Sequence, residues 1–227
     1  ILAMINFNLD GMGFAAALPR MIDTLIGCAL AWFGVSFIFP DWKFRRLPRT
    51  IKRSLQAQCS YLSEVVEQYK NGRNNGLNYR VVRRAAHNTD ADVASLISTL
   101  ATEPDFDPAQ KAQAFEFLCL NHTFISYIAA LGAHRGKIQD QEVLTLLDKA
   151  LDDIQGALLR DEVPDLSAQN MLQTIRQRLS QNNDEDQKAL IILQQLSLMF
   201  SILNQLSRLK QNLSHDHDQH ATELASL

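Results

Sequence analysis

The sequence predicts an all-α protein, with one transmembrane helix followed by a cytoplasmic bundle of about six helices. Three observations carry that expectation. No charged residue interrupts Leu25 to Phe39, six bases crowd the stretch just beyond it, and apolar residues elsewhere recur at helical spacing with almost no strand pattern.

Extended back to Pro19, the opening segment is a 21-residue helix. Its length, about 30 Å at the α-helical rise, matches a bilayer core. Proline suits a first helical turn, so Pro19 is expected to open the helix and Pro40 to end or bend it, giving a span over about 19–40 within a first region of 1–42. Trp42 falls where an interfacial tryptophan belongs. Lys43, Arg45, Arg46, Arg49, Lys52 and Arg53 follow Asp41, whereas Ile1 to Pro19 holds Asp10 and no base. The positive-inside rule then places everything after about residue 42 in the cytoplasm. A core helix of a soluble protein is the competing reading, but it leaves the one-sided bases unexplained; a signal peptide would carry its bases before the apolar run. With Ile1 first and an apolar run so soon after, the chain is expected to be a piece of a longer polypeptide.

The faces of this helix differ. At about 100° per residue, Arg20, Thr24, Gly27, Ala31 and Gly34 stack along one side with Asp23 beside them, while Ile22, Ile26, Leu30, Phe33 and Phe37 line another. Small residues permit close helix packing in lipid, so Gly27, Ala31 and Gly34 are expected to touch other membrane helices and the second stripe to touch acyl chains. Arg20 and Asp23, three residues apart, can pair with each other, or Arg20 can face an anion in a protein-lined cavity; a snorkelling pair among the headgroups is the plainer alternative.

Residues 43–213 read as the cytoplasmic helical domain, with helices at about 48–70, 77–102, 108–133, 139–160, 167–180 and 184–213. "NGRNNG" terminates the first of them. "ALIILQQLSLMFSILNQL", Ala189 to Leu206, resembles a second span, but Gln194, Gln195, Asn204 and Gln205 would be costly in lipid, and its apolar stripe suits a bundle core. The polar tail, 214–227, is expected to be unstructured.

A net charge of -3 gives no electrostatic reason to bind nucleic acid. Cys28, Cys59 and Cys119 lack metal-ligand spacing and read as reduced thiols. No phosphate loop, nucleophile elbow or paired-carboxylate motif is present, so no enzyme, catalytic residue or cofactor is expected. "HDHDQH" at His215 to His220 reads as a solvated tail, and no metal is assigned to it. Arg80, Arg83, Arg84 and His87 form a basic face opposite the apolar side of their helix, either simply solvated or docked on acidic headgroups or an acidic partner.

"ALPRMIDTLIGCALAWFGVSFIFPDWKFRRLPR" resembles the last membrane segment and cytoplasmic exit of the YccS/YhfK group of bacterial inner-membrane proteins, within the fusaric acid resistance or aromatic acid exporter-like superfamily. "YRVVRRAAHNTDADVASLISTLATEP" and "ISYIAALGAHRGK" are similar to blocks of that group's C-terminal cytoplasmic domain. The resemblance implies a parent with two sets of membrane helices, each followed by a helical domain. It maps an Arg-x-x-Asp-Thr-x-x-Gly pattern onto Arg20, Asp23, Thr24 and Gly27. Expected, then, is part of an inner-membrane exporter of organic, including aromatic, acids. Its partners would be the parent's other membrane helices, the lipid bilayer, a second copy and a small organic anion. A membrane-anchored helical scaffold without transport activity is the alternative.

Overall fold

Burying the apolar stripes read above takes one helix at the centre and four around it. The computed structural model describes residues 13–34, 46–74, 76–102, 107–160, 170–171, 173–178 and 187–225, and the regular structure among them is helical. Ile1–Trp42 and Lys43–Leu227 form two separate units.

The first unit contains α1, Gly13–Phe33. Pro19 lies inside this helix and does not open it as expected. The run Phe14–Leu18 is rich in alanine, a strong helix former, and carries the helix more than a turn further back. Every residue from Leu18 to Phe33 is exposed. Met21, Leu25, Leu30 and Trp32 are each 64–68% exposed, too continuous an apolar surface to be left to water. Phe37, the expected helix end at Pro40 and the interfacial Trp42 fall outside the described residues.

The second unit is built on α2 (Leu47–Asn71), α3 (Leu77–Leu100), α4 (Pro108–Ala133), α5 (Gln141–Leu159) and α6 (Gln187–Ala225). Residues 170–171 and 173–178 are also helical. Punctuation in the sequence sets most boundaries. Gly72 ends α2 at φ +95°, a conformation few residues other than glycine adopt readily. Asp107 caps α4 by accepting from Ala109 N at 3.0 Å and Gln110 N at 3.2 Å. Asp140 caps α5 in the same way, through Glu142 N and Val143 N.

Helix α2 packs against α3, α4, α5 and α6. Its buried apolar residues, from Leu47 through Leu55 and Leu62 to Tyr69, meet Ile97, Phe124, Leu147 and Leu196 in one core. Lys210 on α6 donates to Leu158 O at 2.8 Å, placing a cation on the last carbonyls of α5, where the helix dipole favours it.

Helix α6 continues to Ala225, so the tail expected to be unstructured is helical. Ser214 to Ala225 contains no proline or glycine to stop it. The single membrane helix expected from the sequence also needs qualification. Pro108–Ala133 and Lys188–Ser214 are both long and apolar enough, by length and composition, to cross a membrane. A core helix passes the same test. Both are packed into the bundle core, and each turns a polar stripe outward: Glu116, His122 and Ser126 on α4, and Gln194, Ser201, Gln205 and Arg208 on α6.

Substituting the buried Leu196 by alanine should therefore destabilise the bundle by about 2–5 kcal/mol, whereas Leu198→Ala, on the outward face, should stay within about 0.5 kcal/mol. Denaturant unfolding of the chain in mild detergent reads both. Equal effects would mean that α6 is not a one-sided core helix.

Candidate functional site

Helix α1 brings Arg20, Asp23 and Thr24 to one end of the small-residue stripe, and all three are exposed. The Thr24 hydroxyl donates to Arg20 O at 2.8 Å, so its proton is spent on the helix itself. Arg20 and Asp23 form no ion pair with each other among the described residues. A Cβ built at Gly27 or Gly34 would meet nothing within 4 Å, so the close packing expected of this stripe is not made by the described residues of this chain.

In the bundle, polar residues interrupt the core of α2, α3 and α4 at one level. Asn121 on α4 donates from Nδ2 to Asp90 Oδ1 on α3 at 2.7 Å, and Gln58 on α2 donates from Nε2 to Asn121 Oδ1 at 3.1 Å. The other carboxylate oxygen of Asp90 lies 2.9 Å from His122 Nδ1. Ser54 Oγ accepts from Gln58 and Asn121. This chain of contacts runs from the fully buried Ser54 out to the largely exposed imidazole of His122. A serine, a histidine and an aspartate are thus close together, but Ser54 faces amides and no imidazole nitrogen contacts it, so the geometry is not that of an activated nucleophile. It ties α2, α3 and α4 together through buried polar groups, with Gln58 Oε1 alone of the cluster left without a partner among the described residues.

A second polar node closes the opposite ends of α2 and α4. Arg135 lies over the Tyr79 ring at 3.8 Å and donates through Nε to Gln68 Oε1 at 2.8 Å. Tyr79 and Tyr61 share a hydrogen bond of 3.2 Å, and Tyr69 donates to Leu131 O at 2.6 Å. Gly132 leaves little room there: a Cβ would come 3.1 Å from Tyr61 Oη and 3.2 Å from Tyr79 Oη, so those hydroxyls would have to give by a few tenths of an ångström. Tyr79 and Asp90 belong to one of the sequence blocks quoted above, Gly132 and Arg135 to the other. The fold joins the blocks at this node.

Arg80, Arg83, Arg84 and His87 are exposed on α3, as the helical spacing implies. His87 titrates below its ordinary value because partial burial, then the Arg83 charge, disfavour the imidazolium, and Asp90 opposes them only in part. Cys28, Cys59 and Cys119 are free thiols. Burial pushes the Cys59 thiol up to about 12, against the pull of Lys210, which leaves it unreactive. The sequence analysis missed Ser54, Gln58, Asp90, Asn121 and Arg135. A signal for two of them existed. Asp90 sits between Ala86 and Val93, and Asn121 between Phe117 and Phe124, each a polar residue on an apolar helical stripe.

Asp90→Ala should cost about 1–3 kcal/mol in thermal or denaturant unfolding, because Asn121 Nδ2 then loses its short acceptor in the core; Asp90→Asn, which keeps an oxygen there, should cost less. For His87, a depressed folded-state value means that the unfolded chain takes up the proton first. The stability contributed by neutral His87 is present above about pH 6.5 and is lost as pH falls below it. An NMR titration should place the His87 midpoint below 6.5, and His87→Gln should remove that part of the acid loss.

No family model matches this chain, and no solved structure does. Similarity to curated proteins is nonetheless extensive. The chain is 45% identical over 215 residues, 94% of its length, to "Inner membrane protein YccS" of Escherichia coli (strain K12). It is 37% identical over 138 residues, 60% of its length and 19% of the relative's, to an uncharacterized protein of Haemophilus influenzae. It is 39% identical over 106 residues, 46% of its length and 25% of the relative's, to an uncharacterized protein, ORF2, of Neisseria gonorrhoeae. The chain spans 30% of the length of the Escherichia coli protein. At that identity over nearly all of its own residues, this chain belongs to the YccS family.

Proposed function

We propose that this chain is part of an inner-membrane transporter that exports organic anions, with α1 forming part of the pathway wall and the bundle serving assembly or gating in the cytoplasm. The observation that carries the reading is the state of α1. It is apolar, exposed along its described length, and bears one arginine and one aspartate beside glycines with open space over them. An intramembrane charge survives only against protein or a water-filled path, and small residues invite a second helix, so α1 calls for further membrane helices of the parent or of a second copy. Similarity to an inner-membrane protein supports the same location.

In this reading only α1 crosses the bilayer. Helices α4 and α6 bury their apolar faces in the bundle and keep glutamine, histidine and arginine outward, where lipid would penalise them. The bases after Asp41 hold the bundle on the cytoplasmic side. Arg20 attracts the organic anion and Asp23 competes for it.

Arg20→Ala in the whole parent protein should lower efflux of an aromatic acid about tenfold, the loss of one charge-assisted contact of roughly 1.5 kcal/mol, at unchanged membrane abundance. Unchanged efflux would refute the role. One observation favours a different class: the bundle encloses its own core and exposes Arg80, Arg83 and Arg84, as a tethered scaffold would. That reading requires residues 43–227 on an unrelated membrane anchor to restore the phenotype of a deletion strain.

A further inference from the structure

Helix α2 begins with an arrangement that its stability does not explain. Arg46 is its N-cap and Arg49 lies in its first turn, where the helix dipole disfavours cations, and no acid accompanies them there. Arg53 follows one turn on. These three guanidinium groups line one wall of an open groove of about 390 Å³ between α2 and α3, and Thr89, Asp92 and Ser95 stand across from them. A second hollow of about 550 Å³ shares Arg53, Thr89 and Asp92 and continues the groove along the same two helices. Arg49 and Arg53 are exposed and enter no ion pair or hydrogen bond among the described residues.

The two walls differ in what they offer. The protons of three hydroxyls in the groove are already committed: Thr50 donates to Arg46 O at 2.9 Å, Thr89 to Ala85 O at 2.9 Å and Thr99 to Ser95 O at 2.8 Å. Their oxygens remain acceptors, as does the Asp92 carboxylate. The groove therefore combines a strip of guanidinium donors, fitted to phosphate oxygens, with a strip of acceptors, fitted to hydroxyl groups attached to that phosphate. A bare phosphate would use only the first strip. Choline would bring no donor to the second.

We propose that this groove binds the headgroup of an anionic, hydroxyl-bearing phospholipid, a phosphatidylglycerol, with Arg49 and Arg53 on the phosphodiester and Asp92 accepting from the glycerol hydroxyls. The proposal rests on the membrane reading above. Arg46 follows Trp42 by four residues, a contour of at most about 14 Å, so the groove is tethered within reach of the headgroup layer that the proposed span enters. Three arginines against one carboxylate leave the positive excess that a leaflet rich in such lipids attracts.

The test uses the whole chain in detergent, with thermal unfolding read against dihexanoyl phosphatidylglycerol, dihexanoyl phosphatidylethanolamine, dihexanoyl phosphatidylcholine and inorganic phosphate. Phosphatidylglycerol should raise Tm saturably. The rise should be lost in Arg49→Gln/Arg53→Gln and kept in Lys52→Gln, which removes an exposed base of the same helix that does not line the groove. No saturable rise, a rise that survives the double substitution, or an equal rise with any of the other three additives overturns the proposal. Because both arginines are exposed and the helix dipole disfavours Arg49, the double variant should unfold no lower than wild type without lipid. Flotation with vesicles after a carbonate wash reads membrane insertion separately. Retained flotation without a lipid response defeats the headgroup site alone; lost flotation defeats the membrane reading itself.

Discussion

The bundle depends on burying α2 on several sides at once. This helix contacts four neighbours, and Ser54, Gln58 and Gln68 go into the interior with its leucines and tyrosines. An unmatched polar group in such a place costs as much as a lost hydrogen bond, so partners from outside α2 matter there. Asn121, itself held by Asp90, serves the first two, Arg135 just beyond α4 serves the third, and Gln58 Oε1 is left without a partner among the described residues. Leucine stripes alone would let helices of this length slide past one another. The polar contacts admit one register, and they bring together the two sequence blocks that a linear reading keeps apart.

Helix α1 obeys the opposite constraint. It is as apolar as the core helices, yet nothing along its described length is buried. The contrast with α4 and α6 is instructive because those two helices are also long and apolar. What separates them is where polar residues fall around the circumference. On α4 and α6 they recur along the exposed side, broken by Phe115 and Leu198. On α1 the charges are confined to Arg20 and Asp23, near one end. The chain spans 30% of the length of its Escherichia coli relative, which is an inner-membrane protein.

Between these two regimes lies the start of α2, where sequence chemistry serves neither core nor lipid tail. Cations at the positive pole of a helix and hydroxyls already committed to backbone carbonyls line the groove there. A headgroup held there would couple the first turn of the central helix to the bilayer, and through α2 to the other helices packed on it. Part of the basic burst in the sequence thus forms a shaped surface, where Arg46, Arg49 and Arg53 line the groove shared with α3.

The helical class, five of the bundle helices to within a few residues at most of their ends, and the outward placement of Arg80, Arg83 and Arg84 were all legible in the linear chain. They depend on short-range physics: 3.6-residue periodicity, proline and glycine stops, and side chains that cap neighbouring amides. Pro19 inside α1 and the continuation of α6 to Ala225 were not, because local propensity ran through positions at which a stop was expected. Tertiary structure alone decided that Asp90 meets Asn121, that Arg135 covers Tyr79, that Gly132 sits close to two tyrosine hydroxyls, and that Arg49 and Arg53 share a groove with Asp92. Those pairings join residues tens of positions apart. Their energies depend on burial and distance, and neither quantity exists until the helices have packed.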